Sequence, residues 1–142
     1  MEIIPKNKRR IAASISMTFP GSRIQKRGGD SITTSATIEN TGNVARRFAV
    51  YAIHTDTTES YIQDGGNTTV NLAVGETKTI TIGSATVPYG REGHVWDTEV
   101  IVYDDEGDPS HTTPLTSDRL VDAWEITIAP IPMAQITGIS VS

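Results

Sequence analysis

Ile38-Glu39-Asn40-Thr41-Gly42-Asn43 and, 34 residues further on, Leu72-Ala73-Val74-Gly75-Glu76-Thr77 each close a run in which apolar and polar residues alternate. A period of two is the signature of a strand with one face buried, and Asn or Gly directly after such a run marks the turn that ends it. Upstream of the first turn, Ile32, Thr34, Ala36 and Ile38 share one face, and Thr33, Ser35, Thr37 and Glu39 share the other. Asn40 to Asn43 makes the turn, with Gly42 able to take a positive φ at no steric cost. These two signals, read together, give an antiparallel β-sandwich.

The same pattern extends outward in both directions. Ile11, Ala13, Ile15, Met17 and Phe19 form an inward row that Pro20-Gly21 stops. Arg47 to Ile53 is apolar on both faces, which predicts a strand in the centre of a sheet or at an interface. A short strand is expected at Tyr61-Ile62, followed by a turn at Asp64-Gly65-Gly66-Asn67 and by strands over 68–74 and 77–82. Val95 to Tyr103 places Trp96, Thr98, Val100 and Val102 on one face, and Arg119 to Ile128 places Leu120, Trp124, Ile126 and Ile128 inward. Between them, Asp104 to Ser117 is long for a loop and so expected to be functional or mobile.

The chain has 142 residues and no cysteine, which excludes disulfides and thiolate metal sites. Twenty threonines suit exposed strand faces and disfavour helix, where β-branched side chains lose rotamer freedom. Charge is unevenly divided. Residues 1–27 carry seven basic side chains against the single acid Glu2, a net of +6, whereas the rest holds five basic and sixteen acidic residues, a net of −11. A cationic segment on an anionic body favours attachment to an acidic surface or to another copy of the chain. It disfavours nucleic acid, because the body repels phosphate and the basic stretch has only Phe19 for base stacking. No segment has the length of a transmembrane helix, and Ile11 to Met17 is too short and polar for a secretory core. After Pro130 and Pro132, the tail carries Ile136, Ile139 and Val141 and is too apolar to end in solvent without a partner.

Ile38 to Asn43, Leu72 to Thr77 and the strand end Val100-Ile101-Val102-Tyr103-Asp104 together resemble the CARDB-type immunoglobulin-like domain of bacterial and archaeal surface proteins, over about residues 30 to 105. The resemblance implies a sandwich of about seven strands in two sheets and a role in adhesion, display or spacing without catalysis. The basic N-terminal stretch and the apolar tail depart from that pattern and fit the single immunoglobulin-like domains of tailed-phage particles better. The expected fold is therefore all-β, an immunoglobulin-like antiparallel sandwich of seven to eight strands with extended arms. Residues 1–28 form an N-terminal arm and first strand, 29–129 the sandwich, and 130–142 a C-terminal apolar arm.

Several constellations invite a chemical reading and lose it on spacing. Asp104-Asp105-Glu106-Gly107-Asp108 offers hard oxygen ligands for calcium but lacks the EF-hand pattern, so a solvated turn is expected. His54, His94 and His111 show no zinc-ligand spacing and each falls at an expected strand end or loop. No Gly-x-Ser-x-Gly elbow accompanies the scattered Ser, His and Asp residues. Asn67-Thr68-Thr69 matches the glycosylation pattern, which matters only in an exported protein. Trp96 and Trp124 are expected in the core rather than as carbohydrate platforms. No catalytic residue, metal or cofactor is expected.

The functional expectation is a non-enzymatic structural virion protein, a capsid decoration or a tail or baseplate component, with capsid or tail proteins and copies of itself as partners and neither nucleic acid nor membrane. Lys6, Lys8, Arg9, Arg10, Arg23, Lys26 and Arg27 would meet an acidic neighbour, and Ile136, Ile139 and Val141 would bury apolar surface. The competing expectation is an extracellular adhesion or carbohydrate-binding module acting through the loops around Asp64–Asn67, Tyr89–His94 and Asp104–Ser117.

Overall fold

The alternation that ends at Asn40 becomes a ten-residue strand in the computed structural model of the protein, which describes residues 9–17 and 23–128. In chain order the strands are β1 (Ala13–Met17), β2 (Ile24–Lys26), β3 (Ser31–Asn40), β4 (Arg46–Asp56), β5 (Tyr61–Leu72), β6 (Thr77–Thr86), β7 (Val95–Asp104) and β8 (Thr116–Ile126). They form a three-stranded sheet in the order β1-β3-β6 and a five-stranded sheet in the order β2-β8-β7-β4-β5. Every pairing is antiparallel except β2 with β8. The fold is the immunoglobulin-like sandwich that the alternation predicts. β1 joins one sheet and β2 the other.

β4 is flanked on both sides, by β5 and β7, as its two apolar faces require. Its inner row, Phe48, Val50 and Ala52, is fully buried. Its outer Tyr51 is covered by the protein's own loop, because His111 bonds the Tyr51 hydroxyl and packs edge-on against the ring.

The interior divides into two clusters. One is aliphatic apart from Phe48 and includes Ile38, Val50, Leu72, Ile82, Val100 and Val102. The other surrounds Trp96 and Trp124, with Ile32, Val87, Ala123 and Ile126. Removing Phe48 from water contributes on the order of 2–3 kcal/mol, so these rows, rather than intrinsic β propensity, hold the sheets together.

Three local expectations are corrected. Asp64-Gly65-Gly66-Asn67 is not a turn but part of the continuous strand β5. Tyr51 pairs with Asn67 and Ile53 with Asp64, so Gly65 and Gly66 together face Ala52 in a bulge, with Gly66 at φ +103°. The bulge brings β5 against β6. A Cβ on Gly83 would lie 2.7 Å from the Gly66 Cα, so the two glycines close this side of the sandwich. Gly42 is not among the glycines at positive φ; it is small because a Cβ there would strike the Arg10 carbonyl oxygen. Ile128 is 73% exposed rather than inward, because β8 ends at Ile126 and Thr127 turns to bond Lys26.

Candidate functional site

The strands run between two poles. At the entry pole lie the turns 41–45 and 73–76 and the loop 105–115, and the chain arrives there through the backbone bonds of Thr41 to Ala12 and of Asn43 to Arg10. At the exit pole lie the turns 27–30 and 57–60 and the loop 87–94, and the described chain leaves there at Ile128, 3.9 Å from a Cβ built on Gly93.

The exit pole is organised around Asp56, whose side chain is completely buried where β4 ends. Its Oδ1 accepts the Thr58 N–H at 2.9 Å, and its Oδ2 accepts Arg91 at 2.8 Å and His94 Nδ1 at 2.7 Å. Burial alone would raise this carboxyl, but the bonds from His94, Thr58 and Arg91 outweigh it and leave it below the ordinary aspartate value. Arg91 also reaches Glu59 at 2.9 Å and lies 4.0 Å over the Tyr61 ring. Beneath, Tyr61 meets Trp96 edge-on, and Trp96 stacks on Trp124 with centroids 4.7 Å apart.

His54 lies inside β4 rather than at a strand end or in a loop, and is fully buried. Its Nδ1 and the Trp124 indole N–H both meet Thr98 Oγ1, at 2.8 and 3.0 Å. Burial pushes its imidazole down to about 4, with the Asp64 carboxylate opposing the shift. Thr34 Oγ1, His54 Nε2 and Trp96 Nε1 are buried without a hydrogen-bond partner among the described residues. Both tryptophans are closed to solvent, so neither can serve as a platform for a ligand.

At the entry pole the acidic run is spent on ion pairs and backbone bonds. Arg46 grips Asp104 through two bonds of 2.7 and 2.9 Å, and Arg47 reaches Asp105 at 2.6 Å. Asp105 also meets His111 Nε2 at 2.6 Å, while His111 Nδ1 meets the Tyr51 hydroxyl at 2.6 Å. Asp108 accepts the N–H groups of Thr112 and Thr113. The Arg46 guanidinium holds Asp104 below the ordinary carboxylate range, Arg47 and then His111 do so for Asp105, and the two backbone donors for Asp108. With its oxygens so committed, the run is the turn its spacing suggests. Among the described residues no group of three or more His, Asp and Glu could hold a metal ion. A shallow pocket of about 350 Å³ is lined by Arg46, Arg47, Asn71, Leu72, Glu76 and Glu106, but both arginines already bond Asp104 and Asp105.

The residues expected to dock a partner do not form one patch. Lys6, Lys8, Ile136, Ile139 and Val141 lie outside the described residues. Arg9 and Arg10 are exposed at the entry pole, with Arg10 bonding the Thr41 carbonyl and the Asn43 side chain. Arg23 lies toward the exit pole within 3.5 and 3.6 Å of Asp122 and Glu125, Lys26 bonds the Ser31 carbonyl, and the Arg27 N–H bonds Asp30. The sequence reading missed Asp56 and Arg91. The signal available was Asp56-Thr57-Thr58, whose short polar side chains favour a turn closed onto the aspartate.

No protein-family model matches the chain, and a comparison with curated proteins finds no relative. Solved structures do share the fold. A β-glucosidase from Listeria innocua in complex with glucose matches at TM-score 0.54 and 16% identity, over 87% of this chain and 17% of that one. A β-glucuronidase from Bacteroides uniformis matches at TM-score 0.52 and 13% identity, over 76% of this chain and 12% of that one. The CARDB domain of a Pyrococcus furiosus protein in complex with di-metal ions matches at TM-score 0.51 and 12% identity, over 89% of this chain and 95% of that domain. The chain thus spans a small fraction of either enzyme and nearly all of the CARDB domain. The shared property is the immunoglobulin-like fold.

Proposed function

We propose that this protein is a non-enzymatic structural component of a virus particle, a capsid decoration or a tail or baseplate protein of a tailed phage, that docks through its two ends to particle proteins and to copies of itself. One observation carries the reading: the described chain enters the sandwich at one pole and leaves at the other. At about 3.3 Å per strand residue, β3 alone sets the poles roughly 30 Å apart. A stiff body of that length lies between the entry point, which Lys6, Lys8 and Arg9 precede in the sequence, and the exit point, which Ile136, Ile139 and Val141 follow in the sequence. An acidic neighbour would be met at one pole and an apolar one at the other. The competing reading is a cell-surface adhesion or carbohydrate-binding module, since opposite poles also suit a string of domains.

The test is a pair of truncations in cells that produce the particle, one lacking residues 1–8 and the other residues 130–142. The first keeps Arg10 and its bonds to the 41–43 turn, so the sandwich should fold, as circular dichroism of the purified variants would register. Each truncated protein is expected to be missing from purified particles. Incorporation at the level of the intact chain would overturn the proposal.

A further inference from the structure

Four side chains, two from β4 and two from the loop after β7, form one hydrogen-bonded relay on the outer face of the five-stranded sheet. Tyr51 stands on β4 opposite Ile101 of β7, and the 105–115 loop folds back over it. The Tyr51 hydroxyl meets His111 Nδ1 at 2.6 Å, His111 Nε2 meets Asp105 Oδ1 at 2.6 Å, and Asp105 Oδ2 accepts the Arg47 Nε–H at 2.6 Å. The imidazole also lies against two rings, its centroid 5.3 Å from that of Tyr51 and 5.4 Å from that of Tyr103. Its backbone takes φ +53°, which a residue with a side chain adopts only where its surroundings enforce it. Here the His111 N–H is fixed on the Asp108 carbonyl at 2.8 Å.

The direction of the relay follows from the donors available. Arg47, and then His111, keep Asp105 ionised, so its oxygens only accept. Nε2 therefore carries the proton of the neutral imidazole, and Nδ1 offers the lone pair to which the Tyr51 O–H donates. A phenol so placed passes its proton straight to a base whose cationic form already faces a carboxylate. Among the described residues the hydroxyls of Tyr61, Tyr89 and Tyr103 have no such acceptor.

We propose that Tyr51 is a redox-active tyrosine: a one-electron oxidant takes an electron from its ring while the phenolic proton moves to His111 Nδ1, leaving a neutral tyrosyl radical beside an imidazolium that Asp105 balances. Return of one electron and of that proton restores the phenol. A phenol that loses an electron becomes a strong acid, so its oxidation is slow where water must take the proton and faster where a positioned base does. His111 is that base, and Asp105 and Arg47 are positioning residues that set its tautomer and favour its charged form. Loss of an electron needs no cleft for a substrate, which suits a relay whose His111 and Asp105 side chains are only 19% and 17% exposed.

The test oxidises the full chain at neutral pH with flash-generated tris(bipyridine)ruthenium(III) and follows the tyrosyl radical by transient absorption. A phase faster than the oxidation of N-acetyltyrosinamide is expected, and it should slow in deuterium oxide. Tyr51→Phe should remove it. His111→Asn should slow it about a hundredfold, because asparagine tolerates the left-handed backbone and still accepts from the hydroxyl but takes up no proton. Asp105→Asn, which keeps the shape and loses the charge, should slow it by a smaller factor. The proposal is overturned if no phase is faster than the free amide, or if the fast phase survives Tyr51→Phe. It is also overturned if His111→Asn lowers the unfolding midpoint and leaves the oxidation rate unchanged, which would make the relay a fastening for the loop alone.

Discussion

Asn40 and Asp56 hold equivalent stations at opposite poles of the sandwich. Each ends a long strand, each is essentially closed to solvent, and each folds its side-chain oxygen onto the N–H two residues ahead, Gly42 in one case and Thr58 in the other. Asn40 completes its bonding with neutral carbonyls, those of Val44 and Leu72. Asp56 is ionised and needs Arg91 and His94. The difference continues inward: the cluster next to the entry pole is aliphatic apart from Phe48, while His54, Thr98 and the indoles lie toward the exit pole, where Thr34 Oγ1, His54 Nε2, Gln63 Oε1 and Trp96 Nε1 have no hydrogen-bond partner among the described residues. Each half uses the same strand geometry. Asn40 apart, the buried polar residues Thr34, His54, Asp56, Asp97 and Thr98 lie in the exit half, where they add nothing to hydrophobic stability and hold side chains in one arrangement.

The largest expected effect separates the two halves by pH. His54 titrates near 4 in the folded chain and near 6.5 when unfolded. As pH falls below 6.5 the unfolded chain takes up this proton first, so the contribution of a neutral buried His54 is complete above 6.5 and lost by 4, about 3 kcal/mol in all. The aspartates at both poles behave otherwise. Asp56, Asp104, Asp105 and Asp108 lie below their ordinary value of 3.8, so their contribution is present above that pH and lost as pH falls through their lower folded values. Urea unfolding of the intact chain and of His54→Phe from pH 7 to pH 3 should give curves that converge between 6.5 and 4 and run parallel below it. Curves parallel throughout would mean that the exit half does not bury a neutral imidazole.

Removing the central side chain at each pole comes next. Asp56→Ala takes an acceptor from Thr58, Arg91 and His94 at once and should cost about 2–3 kcal/mol, less than a fully enclosed pair because both cations keep some water contact. Asn40→Ala strands the carbonyls of Val44 and Leu72 and should cost about 2 kcal/mol. Asp105→Ala, on the rim of the entry pole, should cost less than either, since Arg47 is half-exposed and solvent screens its ion pair. Chemical denaturation of the three variants ranks them. Were Asp105 to match Asp56, the contrast between a buried and a rim carboxylate would fail.

The entry half was legible because its signals are apolar alternation and Asn-x-Gly. The inner row of β4 begins Phe48, Val50, Ala52 and then continues His54, Asp56, and a pattern search that follows hydrophobicity stops where that row turns polar. The strand was therefore expected to end at Ile53, three positions before the residue that organises the exit pole. Asp64-Gly65-Gly66-Asn67 misleads for a related reason: its composition suits a turn, and only the approach of Gly83 from the other sheet shows why two glycines lie in a strand. Tyr89 and Arg91 belong to a loop, where no period exists to read.

The smallest effect tests whether the poles differ in backbone as well as in side chains. Gly75 at the entry pole and Gly90 at the exit pole take φ of +76° and +82°, and a Cβ built on either meets nothing within 4 Å. Alanine at each should therefore cost only the left-handed conformation, about 1 kcal/mol, and the two thermal unfolding midpoints should fall by the same few degrees. The steric argument makes them twins, so any excess at one site measures something other than strain. A larger loss at Gly90 would show that its turn is held against Tyr89 and Arg91 and cannot relax, whereas equal losses would place the whole asymmetry of the molecule in the side chains of Asn40, His54 and Asp56.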